Sequence, residues 1–209
     1  MINKIIFDKV SLNFGTFTIF DNLSVEFRAG QITGIIGANG VGKSTLLKLA
    51  GQFIQPDSGL VTAFDDDKVI NRIAFRQKIA AITPSMSLYS QLTALENLKF
   101  FTKMRDKKLI DNEIDKLFNR VNLNIENKNK IVGNFSTGMK QRLKLAILLA
   151  VDSDVWILDE PGSNLDECGK HLVLNEMKNA AQNGKLVLLA TNDNDEAEAA
   201  NELISLPIN

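Results

Sequence analysis

Eight residues constrain this chain more than any others. Gly37-Ala38-Asn39-Gly40-Val41-Gly42-Lys43-Ser44 sets two glycines, with four residues between them, directly before Lys-Ser. The short apolar run Ile32-Thr33-Gly34-Ile35-Ile36 leads into it, and Lys43-Ser44-Thr45-Leu46-Leu47-Lys48-Leu49 reads as a helix leaving it. Strand, glycine-rich loop and helix in that order match the phosphate-binding loop. Glycines let successive backbone N–H groups turn inward, and the helix N-terminus adds the positive end of its dipole. Lys43 brings a mobile charge to the β- and γ-phosphates, and the Ser44 hydroxyl offers a ligand to Mg²⁺. A strand apolar along its whole length is buried on both faces, which predicts a central parallel sheet.

The rest of the chain fits an α/β core. Val10, Leu12 and Phe14 alternate with Ser11 and Asn13, and Leu23-Ser24-Val25-Glu26-Phe27 alternates again, so the start reads as antiparallel strands. From about 92 to 151 the period is helical: Leu92, Leu95, Leu98 and Phe101, then Ile114, Leu117, Phe118 and Val121. Strands and helices then alternate, with Val155 to Leu158, a helix from about Asp166, Leu186 to Ala190, and a helix from about Asp193. That order implies right-handed crossovers between parallel strands. The mid-chain helices read as an insertion into one domain spanning 1–209, with a core of about 1–84 and 152–209 and an insertion of about 85–151.

Composition narrows the function. A net charge of −1 argues against a strongly nucleic-acid-binding surface. A single cysteine, Cys168, excludes an intramolecular disulfide and suits a reducing compartment. The longest apolar run, Leu145 to Val151, is far short of the ~20 residues of a membrane helix. The first residues lack the apolar core of a signal peptide, so the expected location is cytoplasmic.

Two further motifs join the loop. Val155-Trp156-Ile157-Leu158-Asp159-Glu160 is an apolar strand ending in two acids, at the edge where parallel sheets bind ligands. Asp159 would hold the metal shell and Glu160 would act as general base on the attacking water. Between the motifs, in Phe135-Ser136-Thr137-Gly138-Met139-Lys140-Gln141-Arg142, Ser136 reads as an N-cap and Gly138 as a flexible opening turn of a helix. Such a start leaves N–H donors aimed at an anion.

That last segment resembles the signature sequence of ABC transporter ATPases, and the resemblance runs over essentially the whole chain. It implies a P-loop NTPase core with a parallel sheet, an N-terminal antiparallel β subdomain and an inserted helical subdomain. It also implies ATP and Mg²⁺ as cofactors. Gly37, Ala38, Asn39, Gly40, Val41, Gly42, Lys43, Ser44 and Thr45 would then hold nucleotide, with Ser44 and Asp159 on the metal and Phe14, before Gly15, stacking on adenine. Ser163-Asn164-Leu165-Asp166 looks like the loop that follows the second carboxylate motif in the family. The family closes as head-to-tail dimers, so Ser136 and Gly138 would reach the nucleotide held by the partner's Lys43. A homodimer, docked on a separate membrane-spanning subunit at the cytoplasmic face of the inner membrane, is the expected assembly.

The chain departs from the family twice. Ala190-Thr191-Asn192-Asp193 lies where a switch histidine is expected, and Ile82-Thr83-Pro84-Ser85 lies where a loop glutamine is expected. Asn192 can donate an N–H but cannot carry a proton near neutral pH; the only histidine, His171, falls on an earlier helix as a surface residue. Catalysis therefore rests on Glu160, Lys43 and Asn192, and hydrolysis is expected to be slower than in relatives with both residues. Two other readings stay open: an ATP-gated cassette with little turnover, and a soluble cassette of DNA repair or translation. The signature segment, Ser163 to Asp166 and Ala190 to Asp193 together look like the haem-exporter ATPase subunits of bacterial cytochrome c maturation, or a related bacterial cassette.

Overall fold

Three short strands are buried almost completely because each is covered on both faces. They are β3 (Ile32–Ile36), β7 (Val155–Asp159) and β8 (Leu186–Ala190). The computed structural model describes residues 1–207. It places these strands in a five-stranded parallel sheet of order β6-β7-β8-β3-β9, with β6 (Ile79–Ile82) and β9 (Glu202–Ser205) at the edges. Successive side chains of a strand point to opposite faces. Trp156 and Leu158 of β7 accordingly enter one core, and Val155 and Ile157 the other; Val187 and Leu189 of β8 part from Leu186 and Leu188 in the same way.

One of these cores is closed by helices. It takes Leu98 from α3 (Ala94–Lys103), Phe118 from α4 (Asp111–Arg120), Leu143 from α5 (Thr137–Val151) and Val173 from α6 (Glu167–Gln182). Thr93 and Glu96 form a capping box at the start of α3, and Ser136 and Asp166 cap α5 and α6 through their side-chain oxygens. Each cap satisfies N–H groups that the helix cannot pair internally. α3, α4 and α5 all lie in the segment between β6 and β7, and α5 packs back onto β6.

The opposite core is closed by α1 (Lys43–Ala50) and by an antiparallel sheet of order β2-β1-β4-β5. β1 (Ile2–Phe14) pairs with both β2 (Phe17–Arg28) and β4 (Ser58–Asp65), while β5 (Lys68–Ile70) hangs on β4. β1 buries Ile2, Ile5, Phe7, Val10 and Leu12. Its period breaks between Phe7 and Val10, where the register shifts and Lys9 takes a φ of 49°. A bulge of this kind re-aims the strand so that both halves face the core. The short helices α2 (Arg72–Gln77) and α7 (Asn194–Glu198) complete the chain.

Candidate functional site

The order β7-β8-β3 sets three carboxyl ends side by side, and the site is built from the loops that leave them. After β3 the chain passes through Gly37, Gly40 and Gly42, with φ of 144°, 83° and 113°. A side chain at Gly37 would lie 2.5 Å from the Leu206 carbonyl oxygen, so both the φ and the space demand glycine. Gly42 is the N-cap of α1 and offers no capping side chain, which leaves the first turn's N–H groups open to an anion. Ile19 and Phe20 of β2 pack within 2.9 and 3.3 Å of the position a Gly42 Cβ would take, closing the loop from the antiparallel sheet.

Lys43 is buried and turns back into the loop. Its Nζ donates to Gly37 O at 2.6 Å, Ala38 O at 3.1 Å and Asn192 Oδ1 at 3.0 Å. Ser44 Oγ donates to Asp159 Oδ2 at 2.6 Å. Burial pushes the Asp159 carboxyl up, and the Glu160 charge pushes the same way, against the Ser44 hydrogen bond and the Lys43 charge. A hydroxyl and a carboxylate oxygen side by side are hard donors, which suits Mg²⁺ completed by phosphate oxygens and water. The residues present therefore fit such a metal, which Ser44 and Asp159 would hold. Among the described residues no group of three or more His, Cys, Asp or Glu forms a metal cluster.

Glu160 leaves β7 in a left-handed conformation, φ 50°, with its N–H donating to Ala190 O at the end of β8. From β8 the Asn192 amide reaches across the site. Its Nδ2 donates to Glu160 Oε1 at 3.1 Å and to Asn39 Oδ1 at 2.7 Å, while its Oδ1 accepts from Lys43. One side chain thus ties the lysine, the glycine loop and the second acid together. Lys43, Ser44, Asp159, Glu160 and Asn192 converge, and Asn39 joins them through a contact no local pattern announces.

The other expected residues lie around this centre. Phe14 and Phe17 face each other across the β1–β2 turn, 54% and 75% exposed, so neither aromatic is a core residue. Ser136 Oγ accepts from Met139 N at the start of α5, and a Cβ on Gly138 would lie 3.1 Å from Asn164 O. This helix start borders a recess of about 390 Å³ whose walls include Pro84, Lys140, Lys144, Asp159 and Glu160. In the loop where a glutamine is expected, Thr83 and Ser85 hydroxyls pair at 3.0 Å. Lys144 Nζ lies 3.4 Å from Thr83 O, and burial lowers its pKa. Its place on a helical period hid it from sequence reading. His171 and Cys168 sit exposed on α6.

The sequence model of the family described as ABC transporter matches residues 20–163. An ABC transporter ATP-binding protein of Bacillus subtilis, YybJ, is 33% identical over 86% of this chain and 81% of its own length. The bacitracin transport ATP-binding protein BcrA of Bacillus licheniformis is 37% identical over 75% of this chain, which spans half of that relative. A solved dimeric structure of MJ0796, a bacterial ABC transporter cassette, shares the fold with a TM-score of 0.84 and 22% identity, over 97% of this chain and 94% of that one. Among the described residues no helix is long and apolar enough to cross a membrane.

Proposed function

Since the chain belongs to the ABC transporter family as an ATP-binding, ATP-hydrolysing cassette, we propose that it powers export through a separate membrane-spanning partner. The observation behind the catalytic reading is the convergence of Lys43, Ser44, Asp159, Glu160 and Asn192 at adjoining strand ends. In this reading residues 1–209 act as one domain, stationed at the cytoplasmic face of the inner membrane. Phe14 stacks on the adenine, and the N–H groups of Gly37 to Thr45 cradle the phosphates. Ser44 and Asp159 would hold Mg²⁺, which would supply positive charge against the phosphates. Lys43 exchanges its Asn192 contact for a phosphate oxygen. Glu160 takes the proton of the attacking water, and the Asn192 amide holds Glu160 Oε1 so that the other carboxylate oxygen faces that water.

Ser136 and Gly138 open α5, on a segment separate in sequence from the Lys43 loop, which suits a role on a second copy's nucleotide. A head-to-tail homodimer closing over two ATP molecules is therefore the proposed working form. Likeness to a bacitracin transport ATP-binding protein supports an antibiotic-like small molecule as cargo. Haem is the alternative cargo, favoured by the segments Ser163 to Asp166 and Ala190 to Asp193. Because Asn192 and Pro84 replace a histidine and a glutamine, turnover is slow; a cassette that binds ATP and rarely cleaves it is the second reading.

The deciding experiment compares ATP hydrolysis by the wild type and Glu160→Gln, with and without Mg²⁺, alongside sedimentation in ATP. Mg²⁺-dependent turnover by the wild type and an ATP-trapped dimer of the variant are expected. Binding without hydrolysis by either protein sinks the catalytic reading in favour of the switch.

A further inference from the structure

The catalytic reading leaves one buried acid without a task. Glu196 lies on α7 and is 3% exposed. Its Oε1 accepts the Gly162 N–H at 2.8 Å, and its Oε2 accepts the hydroxyl of Thr191, itself 1% exposed. Thr191 Oγ in turn accepts the Asp193 N–H at 2.9 Å. Gly162 comes two residues after Glu160, and Thr191 directly precedes Asn192. A single carboxylate therefore bridges the two loops on which the proposed base and its amide partner sit.

Both ends of this bridge are otherwise constrained. Pro161 O accepts Gln141 Nε2 from α5 at 2.6 Å, so the loop after Glu160 is gripped from the opposite side. A Cβ at Gly162 would overlap Glu196 Oε1, which makes the glycine a condition of the contact. The charged groups facing Glu196 are Asp193, beside it, and Lys170 of α6, which pairs with Asp193 at 2.9 Å. Burial raises the Glu196 carboxyl, against the two hydrogen bonds it accepts. Burying a carboxylate is costly unless partners satisfy it. Only an ionised carboxylate accepts from two donors at once while its own oxygens make no demand for an acceptor.

We propose that Glu196 is a positioning residue that locks the Glu160 loop to the Asn192 loop, so that the base and its amide partner keep their mutual geometry through the catalytic cycle. The inference rests on the roles assigned above to Glu160 and Asn192. Misplacement of reacting groups by about 1 Å costs rate on the order of 100-fold.

The test uses the full chain with Glu196→Ala, Glu196→Gln and Gly162→Ala, reading kcat and KM for ATP, and follows the Gly162 amide by ¹⁵N–¹H NMR. Glu196→Ala is expected to lower kcat roughly 10- to 100-fold while KM stays within about threefold. Glu196→Gln recovers most of the rate, because its amide oxygen still accepts from Gly162 and its NH₂ reaches Thr191 Oγ. Gly162→Ala, which removes no polar group, reproduces the loss. Unchanged kcat in Glu196→Ala, or a loss of nucleotide binding parallel to the loss of rate, overturns the proposal. The NMR arm needs neither a variant nor turnover. The wild-type Gly162 amide is expected to shift on acid titration as Glu196 takes up a proton, and an amide indifferent to that titration overturns the bridge. A wild type without hydrolysis instead overturns the catalytic reading, while the Gly162 signal still decides on the bridge.

Discussion

Lys43 has three N–H donors, and all three are occupied: by Gly37 O, Ala38 O and Asn192 Oδ1. A phosphate oxygen gains one only if an acceptor lets go, and Asn192 Oδ1 is the only one of the three that belongs to a side chain rather than to the backbone. Asn192→Ala removes that acceptor in advance, along with the Nδ2 donor to Glu160 Oε1 at 3.1 Å. A hydrogen bond to a charged group contributes about 1.5–3 kcal/mol. Asn192 is exposed, so in the variant a water takes over Lys43's third N–H and the gain falls below that range. Nucleotide affinity should then rise by about 1 kcal/mol, roughly fivefold. Turnover should move the other way, by on the order of 100-fold, the usual loss for one preorganised donor. Titration calorimetry with ADP and Mg²⁺, paired with single-turnover hydrolysis, reads the two effects separately. Weaker binding in the variant, or an unchanged rate, would refute the reasoning.

Four further outcomes are expected. Asn192→His should raise kcat if the amide limits the step; steady-state hydrolysis that is equal or slower shows a site adapted to asparagine. Phe14→Ala should weaken ATP binding by about 1–3 kcal/mol of lost base stacking, while Phe17→Ala leaves the affinity unchanged, as competition with a fluorescent ATP analogue would record. Thr33 is fully buried with no partner for its hydroxyl. Thr33→Val should therefore stabilise by about 1 kcal/mol, a Tm rise of roughly 2–4 °C for a domain of this size, with ATP hydrolysis intact. Finally, the Glu196 carboxyl is held above its ordinary value of 4.5. The folded protein then binds that proton more tightly than the unfolded chain, so this group's contribution to stability is lost as pH climbs from about 4.5 through the folded value. Urea midpoints across that range should slope downward in the wild type and flatten in Glu196→Gln.

Where burial is two-sided or a cap is local, the sequence shows the structure directly. β3 and β8 run over the residues their apolar runs mark, and Ser136 caps α5 as its spacing suggests. β1 escapes a period-two reading because its phase breaks twice, between Ile2 and Ile5 and, at the Lys9 bulge, between Phe7 and Val10. β5, α2 and β9 are too short, at three, six and four residues, for any period to emerge. The same limit applies at the site. Lys43, Asp159 and Glu160 belong to contiguous motifs, but Asn39 to Asn192 spans 153 residues and Gly162 to Glu196 spans 34. Those partners are set by strand order, which no local pattern states.

Lys43 and Asn192 meet across 149 residues of chain, and that interval has a meaning in time. At about 5–20 residues per second of synthesis, roughly 7–30 s pass between the emergence of the glycine loop and the arrival of its amide. Until then β3 lacks β8, its neighbour in the parallel sheet, and the lysine lacks one of its three acceptors. A nascent chain thus displays its phosphate loop long before the strand and the amide that hold the lysine in place are made.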